Sequence, residues 1–479
     1  MTSADISNQS KPLSSLIKRT AITVSPAASI KEAAQLMREH GVSCLLLADN
    51  ERLIGIVTDR DIRNKAVAQG LDNSTSVEHI ATLEPITIEA QATLFEGLLL
   101  LTQHNIHHLP LMQGRTIKGV ITATSLMQTH HASPVAVAND IRNQTDVAGL
   151  VKATANTQDL QQSLALADAS AYSIGHIMTA ITDAVTLRLL ALAHQQLGPA
   201  PVPYAWVAAG SQGRCEQTAK TDQDNCLILD NRFNEAAHGD YFAALATFVC
   251  DGLNACGYVY CPGDMMATNA QWRVTLSQWQ RYFTRWIDQP DPRALMLTCV
   301  FFDLRCVGGT TGLLDTLRES FLTQAKANGI FQAFMVGNAL GHKPALNWLS
   351  NLNWRAAKKH PQSINLKHNA IVPIVDLARV YALAQGATGV NTMDRLGQAE
   401  HSAAVSQASA HDLRDTLAYL SKLRIQHQAT QTRAGLAPDN YLRAHELSNF
   451  EKSRLKHAFK TIVNLQEALG RRSGAQRLA

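Results

Sequence analysis

The chain has 479 residues, 46% of them hydrophobic and 17% charged, with a formal net charge of +4. That length exceeds what one core organises and implies about three domains, while the small net charge gives no electrostatic footprint for nucleic acid. The N-terminal MTSADISNQSKPL lacks a signal-peptide core and the best apolar run, Ala294 to Leu304, falls short of the ~18 residues of a membrane span, so a cytoplasmic protein is expected.

Residues 13–132 contain an internal repeat. One copy runs through AITVSPAASIKEAAQLMREHGVSCLLLADNERLIGIVTDRDI, the other through EPITIEAQATLFEGLLLLTQHNIHHLPLMQGRTIKGVITATSL. Each reads as a β-rich opening, an amphipathic helix (Ile30 to His40; Ala92 to His104) and two apolar strands. The strands are split by the polar turns Asn50-Glu51-Arg52 and Gln113-Gly114-Arg115. The order of elements resembles a pair of CBS domains, and that resemblance implies an adenosine nucleotide as ligand. The family's Gly-x-x-Thr/Ser-x-x-Asp ending, which holds ribose, is matched by Gly55, Thr58 and Asp61. In the second copy Gly119 and Thr122 match but Ser125 replaces the acid. Thr58, Asp61 and Thr122 are thus the candidate ligand residues, with one usable site at most. Thr58 and Asp61 equally suit capping of a helix from Asp59 to Gln69. By analogy with such pairs, a homodimer is expected.

Residues 138–197 carry helical periodicity, with Ile174, Ile177, Met178, Ile181, Val185, Leu189 and Leu192 in one stripe. Leu197-Gly198-Pro199-Ala200-Pro201 stops it. This segment is read as a connector packing on the next domain.

In residues 200–310, the apolar run Tyr204 to Ala209 leads into Gly210-Ser211-Gln212-Gly213-Arg214. Thr221-Asp222-Gln223-Asp224-Asn225 then opens a second run, Cys226 to Leu229. Residues two apart on a strand share a face, so Asp222 and Asp224 converge. Two convergent carboxylates beside exposed backbone N–H groups suit a divalent metal carrying a triphosphate. Gly210 admits close approach of a phosphate, Ser211 offers it a hydroxyl, and the planar fork of Arg214 matches it, unless Arg214 pairs with Glu216. Seven of the eight cysteines crowd this third of the chain without a Cys-x-x-Cys pair, which fits buried thiols better than zinc or disulfides. Trp272, Trp279 and Trp286 are read as core.

The string GSQGRCEQTAKTDQDNCLIL, with Arg214, Glu216, Gln217, Thr221 and Asn225 in place, resembles the DUF294 branch of the polymerase β-like nucleotidyltransferases. That branch is related to the protein-PII uridylyltransferases and the glutamine-synthetase adenylyltransferases. The resemblance implies Mg2+ (or Mn2+) on Asp222 and Asp224, a nucleoside triphosphate donor and a hydroxyl acceptor such as a PII-like protein. It also implies nucleotide contacts from Asn225, and a third carboxylate on a neighbouring strand. Asp264, after the strand-like Gly257 to Cys261, is preferred on chain order; Asp303, which could instead pair internally with Arg305, is the alternative. Asn269 is given a site role beside it. His411-Asp412 stands alone, so no hydrolytic HD domain is expected. If no third acid reaches the metal, a non-catalytic nucleotide sensor becomes the alternative.

Residues 313–475 are helical in pattern, broken near His360-Pro361 and from Gly386 to Asn391, with Pro373 suited to a helix's first turn. They resemble the DUF294 C-terminal substrate-binding domain, and Lys367, Arg379 and Arg395 are the cations assigned to its cleft. The basic amphipathic helix Ser448 to Leu469 is read as docked, with its charges solvated. The expected fold class is multidomain α/β and α: an α+β CBS pair, a helical connector, a mixed-sheet transferase core and a helical bundle.

Overall fold

The computed structural model describes residues 12–473 apart from 18–19, 50–51, 105, 123–133, 220, 348, 350, 355–359 and 402–403. The chain divides into two compact units, Met1–Asn139 and Asp140–Ala479.

The first unit holds both copies of the repeat. In the first copy Cys44–Asp49 pairs antiparallel with Arg52–Thr58, flanked by Thr23–Val24 and Thr82–Leu83. In the second, His108–Gln113 pairs antiparallel with Thr116–Thr122, with Ile88–Glu89 alongside. The helices are Ile30–His40 and Leu94–His104. Ser29 opens the first by a capping box with Glu32, and Gly41 closes it in the left-handed conformation. The Asn50-Glu51 part of the first turn and Ser125 lie outside the described residues. The helix expected from Asp59 to Gln69 begins as Asp59–Asp61 and continues as a wider turn, Ile62–Val67.

The second unit is built on a four-stranded sheet ordered Arg273–Thr275, Asn225–Leu229, Tyr204–Ala208, Arg305–Gly309. The first two strands are parallel and the other pairings antiparallel, so the sheet is mixed as expected. Both central strands are wholly buried, which explains why they read as continuous apolar runs rather than alternating ones. Trp272, Trp279 and Trp286 pack with Phe283, Phe301 and Phe321 in the core beneath.

The segment read as a helical connector holds four helices: Pro134–Asn143, Val147–Thr154, Thr157–Leu166 and Ala171–Leu197. Every residue of the predicted stripe on the last helix is buried. By length and composition this helix could cross a membrane, which the count of uninterrupted apolar residues missed because Asp183 and Arg188 break the run. Its most apolar stretch is 72% buried inside the protein.

Helices Glu235–Ala255, Leu276–Asp288 and Pro292–Phe301 accompany the sheet, and from Thr311 onward the α-helices are Thr311–Ala327, Gly329–Gly341, Val372–Gln385, Thr392–Ala399, Gln407–Arg433 and Asn449–Ser473. Pro373 sits in the first turn of Val372–Gln385. The break at Gly386 to Asn391 separates Val372–Gln385 from Thr392–Ala399, and His360-Pro361 falls in a stretch after Gly341 that leads into a short ribbon of Ser363–Asn365 with Tyr441–Arg443. The final helix docks through Leu455, Phe459 and Ile462, all fully buried.

Candidate active site

The strand Tyr204–Ala208 ends in a single helical turn, Gly210–Gly213. Gly210 has φ +55°, and a Cβ there would overlap Asp224 Oδ2. A Cβ on Gly213 would overlap the backbone oxygen of Asp303. Both glycines are therefore required by close approach, one to a site carboxylate and one to the chain that holds the turn in place. Gly210→Ala is expected to displace Asp224 and reduce any activity at least about tenfold, the scale of a small misplacement of reacting groups. Wild-type activity with an unchanged melting temperature would refute that requirement.

The turn is pinned from two sides. Gln212 Nε2 donates to Asp183 on the long connector helix (2.9 Å), and Arg305 pairs with the same carboxylate (2.8 Å) while donating to the Gln212 carbonyl. From the helical region, Asn391 Nδ2 donates to the Arg214 carbonyl (2.8 Å) and Glu216 Oε1 accepts from the Thr392 N–H (2.8 Å).

Asp222 and Asp224 lie next to this turn. Asp224 is partly buried, and its carboxyl is held above the usual range first by that burial and then by the negative charge of Asp222. Lys367 Nζ lies 3.7 Å from Asp222 Oδ1. Two neighbouring carboxylates with one loosely placed cation leave negative charge uncompensated. That donor set fits a magnesium ion completing its shell with phosphate oxygens and water. Among the described residues no third His, Cys, Asp or Glu joins them as a metal-binding group.

Among the described residues neither candidate for the third acid joins this pair in a metal-binding group. Gly257 to Cys261 is not a strand but a loop, held along the sheet by bonds from Gln223 N–H to the Val259 carbonyl and from Asn225 N–H to the Met265 carbonyl. Asp264 sits exposed on that loop in a left-handed turn (φ +54°), accepting from Asn269 Nδ2 at 2.9 Å. Asp303 is fully buried and ion-paired with Arg214 (2.8 Å), Arg379 (2.6 Å) and Arg395 (2.6 Å), not with Arg305. Burial alone would raise its carboxyl, but Arg379, Arg395 and Arg214 overcome that and hold it far below the carboxylate range.

The same cluster corrects the reading of three arginines. Arg214 divides its guanidinium between Glu216 and Asp303, and Arg379 bridges Asp303 and Asp376. Arg395 donates to Asp303, the Phe302 carbonyl and the Gly389 carbonyl. These cations tie the helical region to the Gly-Ser turn instead of standing free to clamp a phosphate. Asn225 is likewise internal, its Oδ1 accepting from the Ala267 N–H.

What remains is a cleft lined by Ser211, Gln217, Thr221, Lys367 and Arg424, with Val375, Met393 and Leu417 forming an apolar wall. Arg424 escaped the sequence reading. It occupies a stripe of Ala410, Leu413, Leu417, Leu420, Arg424 and His427, where the 3–4 spacing places side chains on the inner face of the helix. An arginine in such a stripe is the signal that could have found it.

In the first unit, Thr58 and Asp61 do cap: each accepts the other's backbone N–H, and Asp61 also pairs with Lys65 (2.8 Å). They also line a cavity of about 600 Å³ with Ser43, Glu84, His108 and Thr122. That volume suits a nucleotide-sized ligand.

Three family descriptions match the chain. "CBS domain" covers residues 13–68 and 77–132, "Putative nucleotidyltransferase DUF294" covers 155–293, and "Putative nucleotidyltransferase substrate binding domain" covers 329–473. The CBS domain-containing protein YhcV of Bacillus subtilis is 34% identical over 22% of this chain and 74% of its own length. The chain belongs to the CBS-domain family, and its second unit carries the two DUF294 domains. Hypoxic response protein 1 of Mycobacterium tuberculosis is 32% identical over 20% of this chain and 70% of its own. Among solved structures, the chain is similar to the CBS domain protein PAE2072 from Pyrobaculum aerophilum complexed with AMP. The two are 27% identical over 24% of this chain and 91% of that one, with a TM-score of 0.23. The "putative signal-transduction protein with CBS domains from Burkholderia ambifaria MC40-6" is 31% identical over 25% of this chain and 93% of its own, with a TM-score of 0.24. These relatives correspond to the first unit's share of the chain, and the DUF294 descriptions bear on the second.

Proposed function

We propose that the second unit is a metal-dependent nucleotidyltransferase. It moves a nucleoside monophosphate from a triphosphate to a hydroxyl acceptor under the control of an adenosine nucleotide in the first unit. The observation that carries this reading is the uncompensated pair Asp222 and Asp224 beside a glycine turn, linked by Lys367, 3.7 Å from Asp222, to a cleft that Lys367 lines together with Ser211. Asp222 and Asp224 would hold the magnesium, which when bound neutralises the charge that builds on the phosphates. The chain's own groups orient the donor: Ser211 offers a hydroxyl to a phosphate oxygen, Lys367 supplies a cation, and Val375 and Met393 supply a dry wall. In the transfer the acceptor oxygen bonds to the α-phosphorus, the bond to the bridging oxygen breaks and pyrophosphate leaves. The hydroxyl proton passes to water.

Likeness to the protein-PII uridylyltransferases supports a PII-like regulatory protein as acceptor, and the family habit of CBS pairs supports a homodimer. A non-catalytic nucleotide sensor is the second reading, favoured by the lack of a third metal donor among the described residues.

Wild-type protein and the Asp222→Asn/Asp224→Asn variant, each incubated with α-labelled ATP or UTP, magnesium and cell extract, decide between them. Label moved onto an acceptor by wild type alone is expected. Binding without transfer would replace the enzyme by the sensor.

For the first unit, AMP is supported by the solved relative bound to it. AMP is expected to raise the melting temperature of wild type, and Asp61→Ala to remove that shift, because Asp61 lines the cavity and can accept from both ribose hydroxyls. A full shift in Asp61→Ala would exclude this site.

A further inference from the structure

Arg424 is unlike four other arginines of the second unit that are wholly or partly buried. Arg214, Arg305, Arg379 and Arg395 each meet a carboxylate within 3 Å. Among the described residues Arg424 makes no ion pair: its Nε donates to Asn440 Oδ1 (2.6 Å) and one terminal nitrogen lies 3.5 Å from Thr218 Oγ1. Asp222 and Glu216 face it from beyond ion-pair distance, and Arg214 adds a like charge. Burial therefore dominates, pushing the guanidinium down to about 10. A mostly buried cation without its own anion is costly, and such a group persists where an anion arrives from outside.

A second observation comes from the same cleft. Gln217 is 2% exposed; its Nε2 donates to Thr221 Oγ1 (2.9 Å), while its Oε1 has no hydrogen-bond partner. The cleft thus presents one cation without an ion-pair partner among the described residues and one amide oxygen that lacks a donor. A nucleotide supplies both: phosphate oxygens for the first, and a ribose hydroxyl or ring amine for the second.

We propose that Arg424, acting with Lys367, binds the phosphate chain of the donor nucleotide, so that the helix Gln407–Arg433 contributes directly to the active site. This rests on the nucleotidyltransferase reading and deepens it by assigning the anion-binding role that Arg214, Arg379 and Arg395 cannot fill. The planar fork of Arg424 is already oriented by Asn440, which leaves its outer edge for a bidentate contact to phosphate.

Titration calorimetry with ATP and with inorganic tripolyphosphate, in magnesium, on wild type, Arg424→Gln and Arg424→Lys tests the assignment. Arg424→Gln is expected to weaken both ligands at least about tenfold, in the range of a lost charge-assisted hydrogen bond. Its melting temperature should equal or exceed that of wild type, since a buried unpaired charge has been removed. Arg424→Lys should recover part of the affinity. Wild-type affinity in Arg424→Gln would overturn the proposal while leaving the nucleotidyltransferase reading intact. So would weakened binding that tracks a lowered melting temperature in both variants. A wild type that binds neither ATP nor tripolyphosphate would overturn both.

Discussion

Asp224→Asn is expected to abolish nucleotidyl transfer while leaving the unliganded protein at least as stable as wild type. Asp224 packs against Gly210 beside Asp222, and among the described residues the pair's one ion-pair contact is Lys367, at 3.7 Å from Asp222. In the absence of metal, the like charges raise the energy of the folded state. The amide is nearly isosteric and neutral, so it relieves that repulsion without opening a cavity. The catalytic cost runs the other way. A metal ligand and a preorganised charge are lost together, and the loss of a single preorganised group already costs about 10²–10³ in rate. A variant that loses activity while gaining stability is the mark of a residue retained for function. The check is a melting curve in chelator alongside the labelled-nucleotide assay. A melting temperature several degrees lower would make Asp224 a structural residue, and undiminished transfer would remove it from the site.

The architecture was legible wherever local pattern decides it. The repeat, the buried stripe from Ile174 to Leu192, the two apolar runs around the Gly-Ser turn and Pro373 each announce themselves by spacing or by a residue with few conformational options. The arginines were not legible, because a charge in a sequence carries no record of its partner. Arg214, Arg379 and Arg395 look like phosphate ligands until Asp303, distant from all of them in sequence, is found between them. Asp303 itself lies in an apolar stretch, Phe301-Phe302-Asp303-Leu304, where a lone carboxylate demands buried cations. Reading that demand first would have drawn the arginines inward. Gly257 to Cys261 failed for a related reason: Val259 and Tyr260 stand exposed on a loop, and the Val259 carbonyl accepts from the Gln223 N–H without a ladder forming.

The second large effect follows from that cluster. Asp303→Asn is expected to destabilise the second unit by about 3–5 kcal/mol, the range for removing one partner of a buried ion pair. Here one carboxylate serves three guanidinium groups, all less than 15% exposed. Its loss leaves Arg214, Arg379 and Arg395 facing one another without the common anion. Against a total stability of about 5–15 kcal/mol, that is enough to leave a sizeable unfolded fraction at 37 °C. The sign with pH follows from the depressed carboxyl of Asp303. Its contribution is full above the unfolded value of about 4 and is lost progressively as pH falls below it. The gap between wild type and Asp303→Asn in denaturant midpoint should therefore be constant at neutral pH and narrow in acid. Pairing Asp303→Asn with Arg395→Met should restore part of the loss, because Arg395 has Asp303 as its carboxylate partner and the stranded charge is removed without exposing another. Arg214 connects the cluster to the Gly-Ser turn, so folded Asp303→Asn protein should also transfer more slowly at saturating nucleotide. An unchanged midpoint in Asp303→Asn would mean that the cluster, despite its geometry, does not hold the helical region to the catalytic turn.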